Sequence, residues 1–171
     1  MSIDQATLNV QVAEAAAFLA RVLARHFNGH QTEEENGYVT IRLDNLYQSD
    51  RPITIDTRNA EITVTFGECH SHFSDSNGLT EVWLVGKMVE KVVGIVSGQV
   101  HSFSARAGDL CLGFGWLRAG EAAGRMIEWF PEATHFKVVA WAPWDDIDVT
   151  RPQFHSRLWP PPEAPVKASP C

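Results

Sequence analysis

Ile53-Thr54-Ile55-Asp56-Thr57-Arg58-Asn59-Ala60-Glu61-Ile62-Thr63-Val64-Thr65-Phe66 is the stretch whose reading decides the fold. Apolar and polar residues alternate on both sides of Asp56-Thr57-Arg58-Asn59. Successive side chains of a strand project to opposite faces, so each half reads as a strand buried on one face only. Asp, Thr and Asn favour the tight connection between them, which makes the two halves an antiparallel hairpin.

Upstream, Tyr38-Val39-Thr40-Ile41-Arg42-Leu43 alternates in the same way and predicts a third strand. The polar residues Gln31 to Asn36 before it read as a connection. Leu8, Val12, Ala15, Leu19, Val22 and Phe27 recur at three-to-four-residue spacing, the period of an amphipathic helix, and Asn28-Gly29 is the expected stop. Downstream, Asp75-Ser76-Asn77-Gly78 breaks the strand pattern. Thr80 is placed to cap a helix with Val82, Val85, Val89, Val92 and Val96 on one face, closed by Gly98.

Two further strands, Val100-His101-Ser102-Phe103 and Leu110-Cys111-Leu112-Gly113-Phe114, flank a turn at Ala107-Gly108-Asp109. A short helix is expected over Glu121 to Trp129, stopped by Pro131, and a last strand over Phe136 to Trp141. The order of elements predicts an α+β domain: a largely antiparallel sheet of about five to six strands, covered by an N-terminal helix and a central helix. That single domain is expected over residues 1–150. Residues 151–171, with Trp159-Pro160-Pro161-Pro162-Glu163-Ala164-Pro165, read as a proline-rich tail.

The chain has 171 residues, 44% hydrophobic and 20% charged, enough to bury a core without disulfides. Cys69, Cys111 and Cys171 are an odd number with no C-x-x-C pair, which predicts a reducing, cytoplasmic location; Cys111 reads as core. No run approaches the roughly 18 apolar residues of a membrane span, and no export signal is evident at the N-terminus, so no membrane association is expected. A formal charge of −7 without a basic cluster argues against nucleic acid and is compatible with a basic protein partner.

Cys69-His70-Ser71-His72-Phe73 is the densest chemical feature. On a strand His70 and His72 share a face, while Cys69 and Ser71 point away. Two imidazoles make half of a zinc site, for which Asp75, His101 or His135 are the candidate third ligands, Asp75 the nearest in sequence. His-Ser-His also invites comparison with JAMM-type zinc hydrolases. Phe73 stands where their motif has proline, Thr80 where it has serine, and Trp83 where it has the metal-binding aspartate. A small zinc-dependent hydrolase around His70 and His72 is therefore the alternative reading, with Glu68 or Glu81 as base. The first reading needs no cofactor: the imidazoles are structural, and exchanging both for alanine is expected to cost folding stability. Gly113-Phe114-Gly115 lacks the spacing and lysine of a phosphate loop and reads as close backbone packing.

Thr65-Phe66-Gly67-Glu68-Cys69-His70-Ser71-His72-Phe73 and Lys137-Val138-Val139-Ala140-Trp141 followed by Asp145 resemble landmarks of small bacterial α+β proteins classed as immunity proteins of polymorphic toxin systems. In those proteins the late strand runs into Trp-Ser-Gly; here Ala142-Pro143 follows Trp141. The resemblance spans roughly residues 37 to 148. It implies a non-enzymatic protein that binds and neutralises a toxin through a surface. Trp144, next to a proline, is the expected aromatic contact, with Asp145, Asp146 and Asp148 as acidic contacts in a solvated loop. Trp141, in its alternating strand, is expected in the core.

Overall fold

The computed structural model describes residues 4–75, 78, 80–120, 127–141 and 146–156. It is an α+β fold with two antiparallel sheets, one of five strands and one of four. The chain forms two compact units, Met1–Phe66 with His70–Val93, and Gly67–Cys69 with Gly94–Cys171.

The first unit begins with α1 (Gln5–Val22), capped by Asp4, whose carboxylate accepts from the Ala6 N–H at 3.2 Å and from the Thr7 hydroxyl at 2.6 Å. These two bonds hold the Asp4 carboxyl below its ordinary value. The five-stranded sheet follows in meander order: β1 (Phe27–Glu35), β2 (Tyr38–Asn45), β3 (Ile53–Asp56), β4 (Glu61–Phe66) and β5 (Cys69–Ser74). The expected hairpin is present, with Ile53 opposite Phe66 and Ile55 opposite Val64. Its connection is a tight turn over Arg58–Ala60 with Asn59 and Ala60 at positive φ.

Val39, Ile41, Leu43, Ile53, Ile55, Ile62, Val64 and Phe66 are buried, as are Leu8, Val12, Ala16 and Leu19 of α1, which packs across β1 and β2. Thr40, Arg42, Thr54, Asp56, Thr63 and Thr65 alternate with them and are only half-buried. A polar clamp ties α1 to the strand ends. The Gln5 side chain donates to Asn9 at 2.9 Å and to the Thr57 carbonyl at 3.0 Å, Asn9 donates to the Gly37 carbonyl, and Thr57 accepts from the Val39 N–H at 2.9 Å.

Two expectations for this unit are corrected. The helix ends at Val22, not at Asn28-Gly29; Gly29, at φ +125°, lies inside β1, where the pairing with β2 slips between Phe27 and His30. The glycine thus serves a β-bulge. The polar run Gln31 to Asn36 is for the most part strand, paired residue for residue from Gln31 opposite Arg42 to Glu35 opposite Tyr38. It lies at the sheet edge and is exposed on nearly every residue, so no alternation marks it. Asn36 and Gly37, both at positive φ, make the two-residue turn into β2.

α2 (Glu81–Val96) is closed at Gly98, φ +72°, whose N–H donates to the Ile95 carbonyl. Its buried row differs in part from the valine row expected. Of that row Val92 and Val96 are buried, Val85 and Val89 half-buried and only Val82 exposed, and Leu84, Met88 and Ile95 complete the buried side.

The second unit holds β6 (Val100–Ala107), β7 (Leu110–Arg118), β8 (His135–Val139), β9 (Ile147–Thr150) and α3 (Arg151–Ser156), in the sheet order β7-β6-β8-β9. Phe103, Ala105, Leu117, Ile127, Ala133, Phe136, Val138, Val149 and Phe154 form its core. Phe136 and Phe154 stack at 4.2 Å, and Phe103 meets both rings. The two β7 glycines lie under aromatic rings: a Cβ on Gly113 would fall 2.3 Å from Phe130, and one on Gly115 would fall 2.8 Å from Phe103. Close packing is therefore what the Gly113-Phe114-Gly115 run provides. Trp141 is fully buried, as expected; Cys111, expected in the core, is exposed at the start of β7.

The core of this unit runs past Thr150, because Phe154 of α3 is fully buried. The expected helix over Glu121 to Trp129 lies mostly, and the proline-rich run from Trp159 wholly, outside the described residues.

Candidate functional site

β5 alternates as the sequence predicts, with Cys69 buried and His70 and His72 exposed. The turn residues Gly67 and Glu68 precede it. The Cys69 thiol donates to the backbone carbonyls of Gly115 at 2.8 Å and Phe103 at 3.4 Å, and the Glu68 carboxylate binds Arg106 at 2.5 Å. Gly67, at φ +61°, must be glycine for a second reason: a Cβ there would stand 2.7 Å from the Ser102 hydroxyl. The packed part of the motif is thus Gly67-Glu68-Cys69, whereas His70 and His72, expected to serve a structural role, are exposed. Exposed rings bury too little to anchor a fold.

The His70 and His72 rings meet edge to face with centroids 4.8 Å apart. His72 Nδ1 lies 2.8 Å from the Glu61 carboxylate and 2.9 Å from the Thr63 hydroxyl, both on β4. An ionised carboxylate only accepts, so Nδ1 carries the proton that faces Glu61. The carboxylate reaching His72 is therefore Glu61, which the sequence reading did not consider, and the signal for it was the β4–β5 turn, which sets outward residues of the two strands side by side.

The other expected ligands lie elsewhere. Asp75 follows β5 and is half-buried. His101 is fully buried in the second unit, where desolvation lowers its imidazole to about 4, and exposed His135 is hydrogen-bonded to Thr134. Among the described residues, no three His, Cys, Asp or Glu side chains converge as a metal-binding group. Trp83, standing where a JAMM motif has aspartate, is on α2 and exposed.

Of the expected partner contacts, Trp144 and Asp145 lie outside the described residues. Asp146 is engaged by Lys137 at 2.8 Å and is mostly covered. Asp148 is exposed on β9, directly opposite Lys137. The acidic run is thus partly strand, not a loop throughout.

Exposed apolar side chains lie on both units, with Leu110 and Phe114 of β7 and Trp129 in the second. Among the described residues of the first unit, every exposed large hydrophobic side chain lies on α1 or α2: Val10, Phe18 and Val22 on the former, Val82, Trp83 and Val93 on the latter. At 100° per residue the α2 set falls on the side away from Leu84, Met88, Val92 and Ile95, where it is interspersed with the exposed Lys87–Glu90 ion pair. Val82 is 70% exposed, and Trp83 and Val93 are each 40% exposed; Lys87 lies 5.6 Å from the centre of the Trp83 ring. No helix among the described residues is long and apolar enough to cross a membrane. No protein-family model, curated protein or solved structure matches this chain.

Proposed function

We propose that the chain is a non-enzymatic cytoplasmic interaction protein of the immunity type, which binds and neutralises a partner toxin. The observation that carries this reading is the outer side of α2, where Val82, Trp83 and Val93 are turned to solvent beside the Lys87–Glu90 pair. Exposed apolar residues rimmed by polar ones mark a contact surface. Tryptophan is among the residues that most often dominate binding energy, because one ring removes a large area from water. Here the Trp83 ring has a cation, Lys87, 5.6 Å from its centre. The net charge of −7 favours a basic partner and speeds its approach.

The test is protection. The chain is expressed with a toxin domain encoded beside its gene, and survival and complex formation are measured for the parent, Val82→Asp and Trp83→Ala. Protection by the parent, lost in both variants while their melting temperatures hold, is the expected result. A neighbouring toxin that kills equally with and without the chain would overturn the proposal.

A further inference from the structure

We infer that His70 and His72 form a two-imidazole clip for a first-row divalent metal ion of the copper(II) type, with Glu61 as the positioning residue. His70 and His72 leave one exposed face of β5 two residues apart, and their ring centroids lie 4.8 Å apart. With metal–nitrogen bonds of about 2.0–2.1 Å, two imidazoles on one ion at angles of about 90–110° have centroids roughly 4.5–5 Å apart, so the rings already stand at chelating distance.

The second observation is the state of His72. Its Nδ1–H is held by Glu61 at 2.8 Å, beside the Thr63 hydroxyl at 2.9 Å, so that Nε2 is the nitrogen a metal ion would take. A carboxylate behind a ligating histidine fixes the ring and raises its basicity, an arrangement that recurs behind metal-bound imidazoles. Two protein nitrogens do not close a tetrahedral zinc site, and water fills the remaining positions. Such a nitrogen-and-water set favours copper(II), the most strongly bound divalent ion of the first-row series, with nickel and zinc held more weakly. The clip involves no bond making or electron transfer. It is independent of the partner surface on α2.

Untagged full-length chain is titrated with copper(II), followed by calorimetry and electron paramagnetic resonance, alongside His70→Ala, His72→Ala, Glu61→Gln and, as a control, His135→Ala. One ion per chain with a two-imidazole spectrum is expected. His70→Ala and His72→Ala each weaken it at least tenfold, and Glu61→Gln weakens it about tenfold while keeping the two-nitrogen spectrum. His135→Ala leaves it unchanged, and all four keep the metal-free melting temperature within a degree or two. Affinity within twofold of the parent in either His70→Ala or His72→Ala places the ion on other donors and overturns the clip, as does the lack of any saturable copper binding by the parent. Unchanged affinity in Glu61→Gln removes the positioning role.

Discussion

The two sheets place their polar residues in opposite ways. In the five-stranded sheet Thr40, Thr54, Thr63 and Thr65 are half-exposed on the face opposite the buried isoleucines and valines. In the four-stranded sheet His101, Ser102 and Ser104 are buried in β6, a strand whose residues from His101 to Ala105 are all shielded from water. A polar group on an open face costs nothing and remains available to a ligand; one inside depends on its protonation and packing. The outer residues of the first sheet can therefore be exchanged at little cost, and those of β6 from His101 to Ala105 cannot.

The largest effect that would break this contrast comes from the aromatic core of the second unit. Phe136→Ala removes the ring stacked on Phe154 and is expected to cost about 3–5 kcal/mol in denaturant unfolding. Loss below about 1 kcal/mol would mean that this core is loosely packed.

Next comes acid. In the unfolded chain His101 takes up a proton near its ordinary 6.5, whereas in the folded chain it does so only near 4. Between those values the unfolded state binds more protons, so stability is complete above about pH 6.5 and falls as pH drops toward 4, by on the order of 3 kcal/mol. The expected result is a stability slope across that window which is largely lost in His101→Asn. A small remainder is expected from His26, which burial and Arg25 also lower.

In the first unit, Thr57→Ala leaves the Val39 N–H without its hydroxyl acceptor in a fully buried position, an expected loss of about 1–3 kcal/mol by the same unfolding measurement. The smallest effect belongs to the open face. Joint exchange of His70 and His72 for alanine is expected to change stability by less than about 0.5 kcal/mol, because both rings are exposed. A cost of several kcal/mol would return the histidines to a structural role.

Much of the first sheet was legible in the sequence because one side of each strand is buried and the other is wet. The alternation of Ile53 to Phe66 and of Tyr38 to Leu43 states this residue by residue. β1 was not legible: an edge strand exposed on most of its length carries no alternation, and its bulge glycine looks like a helix stop. The buried row of α2 was only partly legible: Val92 and Val96 pack as their spacing implies, but Leu84 and Met88 centre the stripe about one residue away from Val82. In the candidate site, the shared face of His70 and His72 follows from the period of a strand alone. Glu61 required knowing how β4 and β5 pair, and the exposure of Trp83 required knowing which side of α2 is covered.

The central claim is that the outer side of α2 is a binding surface, and its most direct test is the dissociation constant for the purified neighbouring toxin. The proposal expects tight binding by the parent chain and a weakening of at least tenfold by Trp83→Ala, equivalent to about 1.4 kcal/mol or more, with unchanged unfolding. Equal affinity for parent and Trp83→Ala would contradict it.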